Sequence, residues 1–217
     1  MSTHFDLCVV GGGILGAGIA QAAAINGLST IIVEKRGWGS GNSSKSGKLI
    51  GPGLEYMAPL SLLQARERLV EREILSSIAP DLVDGDWFYV PIYSHSQQKP
   101  WRVALQLTLR DCLSAGTNLP WHRRIPEGQW RDLVGLNQHN LRAVFALRDA
   151  QSDDAQLTKE VLRSAKQHGA MALCPVSFDG AQPTDDGYRV RVTKGSRSRA
   201  FDCLSLIHIS EPTRRRG

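Results

Sequence analysis

Gly11, Gly13 and Gly16 follow directly on the apolar run Phe5–Val10, and Glu34 closes a second apolar run eighteen residues after the last of them. These residue types at this spacing suit one chemistry, the grip of a dinucleotide. The first glycine allows a tight turn, the second lets the backbone approach a pyrophosphate, and the third lets a helix pack closely on a strand. A helix starting at the glycines aims its free first-turn amides at the phosphates. An acid at the end of the second strand accepts from the adenosine ribose hydroxyls, which suits FAD or NAD and disfavours the 2′-phosphate of NADP.

The elements that must hold these residues follow from hydrophobic pattern and turn chemistry. Phe5–Val10 reads as a strand buried on both faces, Ala17–Ile25 as a helix ending near Asn26 and Gly27, and Thr30–Glu34 as a second buried strand. Strand, helix and strand over about thirty residues form a Rossmann-like unit. Residues 37–53 are rich in glycine and serine and read as a loop. Its small side chains, free amides and a cation suit a diphosphate. Ser61–Ile78 has a helical pattern ended by Pro80, Trp87–Ile92 reads as a strand and Trp101–Leu113 as a helix. Asp153 and Gln156 make a capping box for a helix over 154–168, closed by Gly169, and Ala170–Phe178 and Tyr188–Val192 read as strands.

Composition sets the outer limits. With 217 residues, 41% hydrophobic and 22% charged, the chain is long enough for a substantial core and is not of disordered or collagen-like type. The net charge of +5 owes three positive charges to Arg214, Arg215 and Arg216, and the remaining basic residues are interleaved with acids, so no nucleic-acid partner is expected. Four cysteines without a Cys-x-x-Cys pair and six scattered histidines give no metal-ligand spacing, and no metal is expected. No apolar run approaches the roughly twenty residues of a bilayer-spanning helix, and the N-terminus lacks a secretory pattern, so a cytoplasmic location is expected.

Together with VVGGGILGAGIA and IIVEK, the stretch GNSSKSGKLIGPGLEYM resembles the serine-rich loop SSKLIHGGLRYL of the FAD-dependent glycerol-3-phosphate dehydrogenase family. That family lies within the D-amino-acid-oxidase-like flavoproteins. ARERLVEREILSSIAPDL is similar to a helix of the same family, and QSDDAQL to its DDARL, so the resemblance runs to about Cys203. It implies FAD as the cofactor, with Gly11, Gly13, Gly16 and Glu34 on its ADP half and Ser43, Ser44, Lys48 and Leu49 lining the pyrophosphate and flavin side. Tyr56 is the implied substrate-side catalytic candidate.

The implied reaction moves a hydride equivalent from a hydroxylated small molecule, a polyol phosphate or a relative, to FAD and on to quinone or oxygen. The resemblance extends to peripheral association with the inner face of the cell membrane. The chain departs from the family where Gly51 and Glu55 replace a histidine and an arginine. A glutamate repels the phosphate that an arginine would pair with, so a related or altered substrate is expected. An amine or amino-acid oxidase of the same superfamily and a non-catalytic NAD- or ADP-binding module are the alternative readings.

The expected architecture is α/β, a Rossmann-like FAD-binding domain whose parallel sheet carries added antiparallel strands, truncated, with part of an α+β substrate domain. Residues 1–59 and 150–203 are assigned to the FAD domain and 60–149 to a helical, substrate-side segment. LSLIHISEPTR, at 204–214, resembles the translation of a transposase sequencing adapter. On that reading 204–217 are a non-native tail, the fragment is inactive, and the strand begun by Phe201–Cys203 lacks its continuation.

Overall fold

The computed structural model describes residues 4–41, 48–50, 62–117 and 119–209, the side chains of 62 and 63 excepted. In chain order the elements are β1 (His4–Val10), α1 (Ile14–Ile25), β2 (Thr30–Val33), β3 (Leu49–Ile50), α2 (Leu62–Ile78), β4 (Val83–Tyr93), α3 (Pro100–Leu113), β5 (Arg123–Ile125), β6 (Leu141–Ser152), α4 (Asp154–Gln167), β7 (Met171–Leu173), β8 (Ser177–Thr184), β9 (Gly187–Lys194) and β10 (Arg197–His208). A short 3₁₀ helix, Glu127–Asp132, lies between β5 and β6.

The chain divides into two units, Met1–Gly47 with Asp153–Gly217, and Lys48–Ser152. The first is built on a six-stranded sheet in the order β7-β2-β1-β10-β9-β8. β7, β2, β1 and β10 run parallel, and β9 and β8 are added antiparallel. From Leu7 to Val10 β1 is continuously apolar because both its faces are covered. Leu7 and Val9 pack with the alanines of α1 and with Leu162 and Ala165 of α4, while Cys8 and Val10 face Val190, Val192 and Phe201. Alanines at 17, 20, 23 and 24 let α1 lie close to the sheet. Asp153 starts α4 by accepting at Oδ1 from the N–H groups of Ala155 and Gln156, each at 3.1 Å.

Two expectations change in this unit. The single strand read over 170–178 is two, β7 and β8, with the Cys174–Pro175 bond between them, since proline has no N–H to donate to a ladder. The strand begun by Phe201–Cys203 does not stop there. It runs on to His208 and pairs with β1, Cys8 opposite Leu206 and Val9 opposite Ile207. Leu206 joins one apolar cluster and Ile207 the other, so alternate side chains are taken up on opposite faces and the continuation is supplied by 204–208.

The second unit holds β3, β6 and β4 in that order, all antiparallel, with β5 also on β6. Sequence reading gave this region a helical, substrate-side character and did not assign β6. Ala143–Leu147 is buried at every position, so it shows no alternation from which a strand could be read. Leu49–Ile50 belongs to this unit because it pairs with Gln151 and Ala150 of β6.

Candidate functional site

β1 ends between β2 and β10, and the three glycines that follow turn the chain into α1. Gly11 has φ +118°, a conformation that side chains rarely adopt, and its N–H donates to Val33 O at 2.9 Å. The N–H of Gly12 donates to Oε2 of Glu34 at 2.8 Å, and its carbonyl accepts from Gly39 N–H at 2.8 Å. Gly13 is the N-cap of α1, in extended conformation and without a side-chain cap. A Cβ on Gly16 would stand 1.9 Å from Gly11 O. The first helical turn therefore touches the backbone of the turn itself, as the dinucleotide reading of the spacing requires.

Glu34 accepts twice, from Gly12 at Oε2 and from the Arg36 N–H at Oε1, 2.7 Å. A carboxylate offers about four acceptor positions, so capacity remains for the two hydroxyls of a ribose. Gly12 is the residue of the turn to which spacing gave no role. A Cβ there would lie 2.6 Å from the Trp38 ring and 2.7 Å from Glu34 Cβ, so only glycine fits between the acid and the indole. Its signal was the unbroken run Gly11-Gly12-Gly13, in which spacing alone assigns no role to the middle residue.

The structure brings Gly11, Gly13, Gly16 and Glu34 together in the first unit. Lys48 and Leu49 lie in the second. Lys48 has φ +59°, and its carbonyl accepts from Ser152 N–H at 2.8 Å. Leu49 is exposed. A lysine held in the left-handed region marks a backbone position fixed by its surroundings. Ser43, Ser44 and Tyr56, like Gly51 and Glu55, lie outside the described residues.

Each unit also holds buried titratable groups. Behind the turn, the Cys8 thiol is pushed up to about 12 by burial and by Cys203 beside it, so it is an inert packing group. In the second unit, Asp149 of β6 meets Arg72 of α2 at 3.5 Å and Arg110 of α3 at 3.9 Å, and Arg110 also donates to Arg148 O at 2.8 Å. Burial raises the Asp149 carboxyl above the usual range, against the pull of the two guanidiniums and of the Ala150 N–H. Asp149 lies one residue before Ala150, the partner of Ile50, so this ionic cluster secures the strand on which β3 rests. Among the described residues no three metal-ligating side chains gather, and no helix is long and apolar enough to cross a membrane.

Comparison with known proteins agrees with this geometry. The profile of the FAD dependent oxidoreductase family matches residues 6–207. A glycerol-3-phosphate dehydrogenase from Synechocystis sp. is 36% identical over 183 residues, which cover 83% of this chain and 33% of that protein. D-erythritol 1-phosphate dehydrogenase from Brucella abortus is 34% identical over 214 residues, 95% of this chain and 41% of that protein. Among solved structures, the glycerol-3-phosphate dehydrogenase of Bacillus halodurans complexed with FAD superposes with a TM-score of 0.67 at 24% identity, over 96% of this chain and 34% of that one. Glycine oxidase from Geobacillus kaustophilus gives 0.68 at 20% identity, over 95% and 55%. The chain thus spans about a third of the length of the curated glycerol-3-phosphate dehydrogenases it matches.

Proposed function

From the premise that this chain belongs to the FAD dependent oxidoreductase family, we propose that it is the nucleotide-binding and partial substrate-side portion of a glycerol-3-phosphate dehydrogenase-like flavoenzyme. The observation that carries the reading is the Gly12 N–H bonded to Glu34 Oε2, which puts a turn stripped of side chains and a strand-end acid within one hydrogen bond. A turn that Cβ atoms at Gly12 and Gly16 would block, next to an acid with acceptor capacity to spare, fits the ADP half of FAD.

Gly11, Gly13 and Gly16 hold the turn open, the amides at the start of α1 face the pyrophosphate, and Glu34 orients the ribose. Ser43, Ser44, Lys48 and Leu49 serve the pyrophosphate and flavin side, and Tyr56 the substrate. The first unit is the FAD domain and the second contributes to substrate binding. When bound, FAD supplies the redox chemistry, accepting a hydride equivalent from a carbon that bears a hydroxyl and passing the electrons to quinone or oxygen. The protein orients the two partners and keeps water away.

The similarity to D-erythritol 1-phosphate dehydrogenase over 95% of the chain supports a phosphorylated polyol as substrate. The amino-acid oxidase reading draws on the fold shared with glycine oxidase. The complete enzyme separates them. It is expected to be yellow when purified and to bleach anaerobically with a polyol phosphate. Bleaching by amines alone, with peroxide release in air, assigns it to the oxidases, and a colourless protein that binds NAD overturns the flavoenzyme reading.

A further inference from the structure

The sheet of the second unit has two unlike faces. Ala143, Phe145 and Leu147 of β6 pack with Val103 and Leu107 of α3, while Val144 and Ala146 point the other way and meet Ile125, Trp130 and Trp87. Side chains alternate along a strand and directly opposed residues share a face. The register therefore puts Arg148 and Ala150 of β6 on the face away from α3, with Gly85, Trp87 and Tyr89 of β4, Arg123 of β5 and Ile50 of β3.

Two guanidiniums are held on this face. Cζ of Arg123 lies 4.6 Å from the centroid of the Trp87 ring, and β6 contributes only Ala146 opposite Arg123, so nothing bulky stands between them. Arg148, directly opposite Trp87, lies over Gly85, its Nη2 3.5 Å from Gly85 O. A Cβ at Gly85 would come within 3.2 Å of Arg148 Nε, so the missing side chain is the seat of the guanidinium. Both arginines are exposed, and among the described residues neither forms an ion pair, whereas Arg72, Arg110, Arg163 and Arg189 each meet a carboxylate.

Two cations on one sheet face are balanced only when a counter-charge joins them. Guanidinium forks match the oxygens of a phosphate, and a dianion balances two cations where a single carboxylate leaves one unpaired. The indole of Trp87 and the phenol of Tyr89, itself 43% exposed, wall the same face. Ile50, which pairs with Ala150 as Gly85 does, follows directly on Lys48 and Leu49, the residues proposed for the flavin side.

We infer that Arg123 and Arg148, seated on Trp87 and Gly85, form an anion subsite that takes the phosphoryl group of a phosphate monoester substrate. The subsite deepens the flavoenzyme reading and rests on it for the identity of the ligand as substrate. Its two cations do not depend on residues 51–56, where Glu55 stands.

The test uses the 217-residue chain, ¹⁵N-labelled, with the arginine Nε–H signals of Arg123 and Arg148 followed while inorganic phosphate is added at constant ionic strength. Both signals are expected to shift along one saturating isotherm, and chloride or acetate to leave them in place. Arg148→Gln is expected to weaken the phosphate response of Arg123 about tenfold, and Arg148→Lys, which keeps the charge without the fork, by less. Gly85→Ala, which displaces the guanidinium and leaves both charges, moves affinity in the same direction. Unchanged amide signals elsewhere show that each variant is folded. Shifts that rise linearly with any salt, saturation by acetate in place of phosphate, or an Arg123 response untouched by Arg148→Gln overturn the subsite. FAD added to the same sample, followed by quenching of its fluorescence, reports on the flavoenzyme reading alone, so either can fail without the other.

Discussion

Gly12 and Glu34, separated by 22 positions, are joined by a 2.8 Å hydrogen bond from the glycine N–H to the carboxylate Oε2. The acid proposed to orient the ribose also holds the turn proposed to carry the phosphates, so cofactor affinity and local stability are coupled through one side chain. The other carboxylate oxygen is taken by the Arg36 N–H. In Glu34→Gln one of these two donors must face an NH₂ group, which costs about 1 to 2 kcal/mol. Thermal melting without cofactor is expected to show that loss, and FAD titration a weaker complex.

Two glycines of α1, only two positions apart, respond oppositely to alanine. A Cβ at 16 would stand 1.9 Å from Gly11 O, whereas one at 18 meets nothing within 4 Å. Gly16→Ala is expected to destabilise the first unit by about 3 kcal/mol or more. Gly18→Ala is expected to stabilise it by about 0.5 to 1 kcal/mol, because alanine is the better helix former. Urea midpoints of the two variants check the contrast.

Lys48 sits at φ +59°, which glycine accepts and a β-branched residue does not. Lys48→Gly should stay within about 1 kcal/mol of the parent in stability, and Lys48→Val should lose about 1 to 2 kcal/mol. FAD affinity should fall in both, since both lose the cation. Equal affinity for FAD in parent and Lys48→Gly would remove Lys48 from the cofactor site.

Burial raises the Asp149 carboxyl above its reference of 3.8, with Arg110, the Ala150 N–H and Arg72 pulling the other way. A raised folded value means that the fold favours the protonated form. The contribution is fully present below 3.8 and is lost as pH rises through the folded value. Asp149→Asn cannot titrate, so its melting temperature should vary less as pH rises above 3.8.

The four thiols should separate by burial. Cys112 is exposed and Cys174 half-buried, while Cys8 and Cys203 are buried and the Cys8 thiol is pushed up to about 12. Thiol-specific labelling of the native chain followed by peptide mass mapping should find Cys112 modified first. Cys8 and Cys203 should react only in denaturant. Rapid labelling of Cys8 under native conditions would contradict its place in the central sheet.

The turn proposed to grip the nucleotide was legible in the sequence because its information is local. A glycine is required at 16 by its own neighbours at 9 and 11, and the strand, helix and strand around it follow from apolar runs and caps within about thirty residues. The same is true of α4, where Asp153 carries its own helix-start signal. Tertiary structure alone decided which strand lies beside β1. β10 comes from nearly the other end of the chain, and its register depends on side chains at 206 and 207 finding opposite faces of a sheet already formed. It alone decided that Ala143–Leu147 is the central strand of the second unit, since a segment buried on both faces carries no period. And it alone set Arg123 and Arg148, distant in sequence from Trp87 and Gly85, on one sheet face, because pairing register is settled by long-range packing and hydrogen bonding that no local window contains.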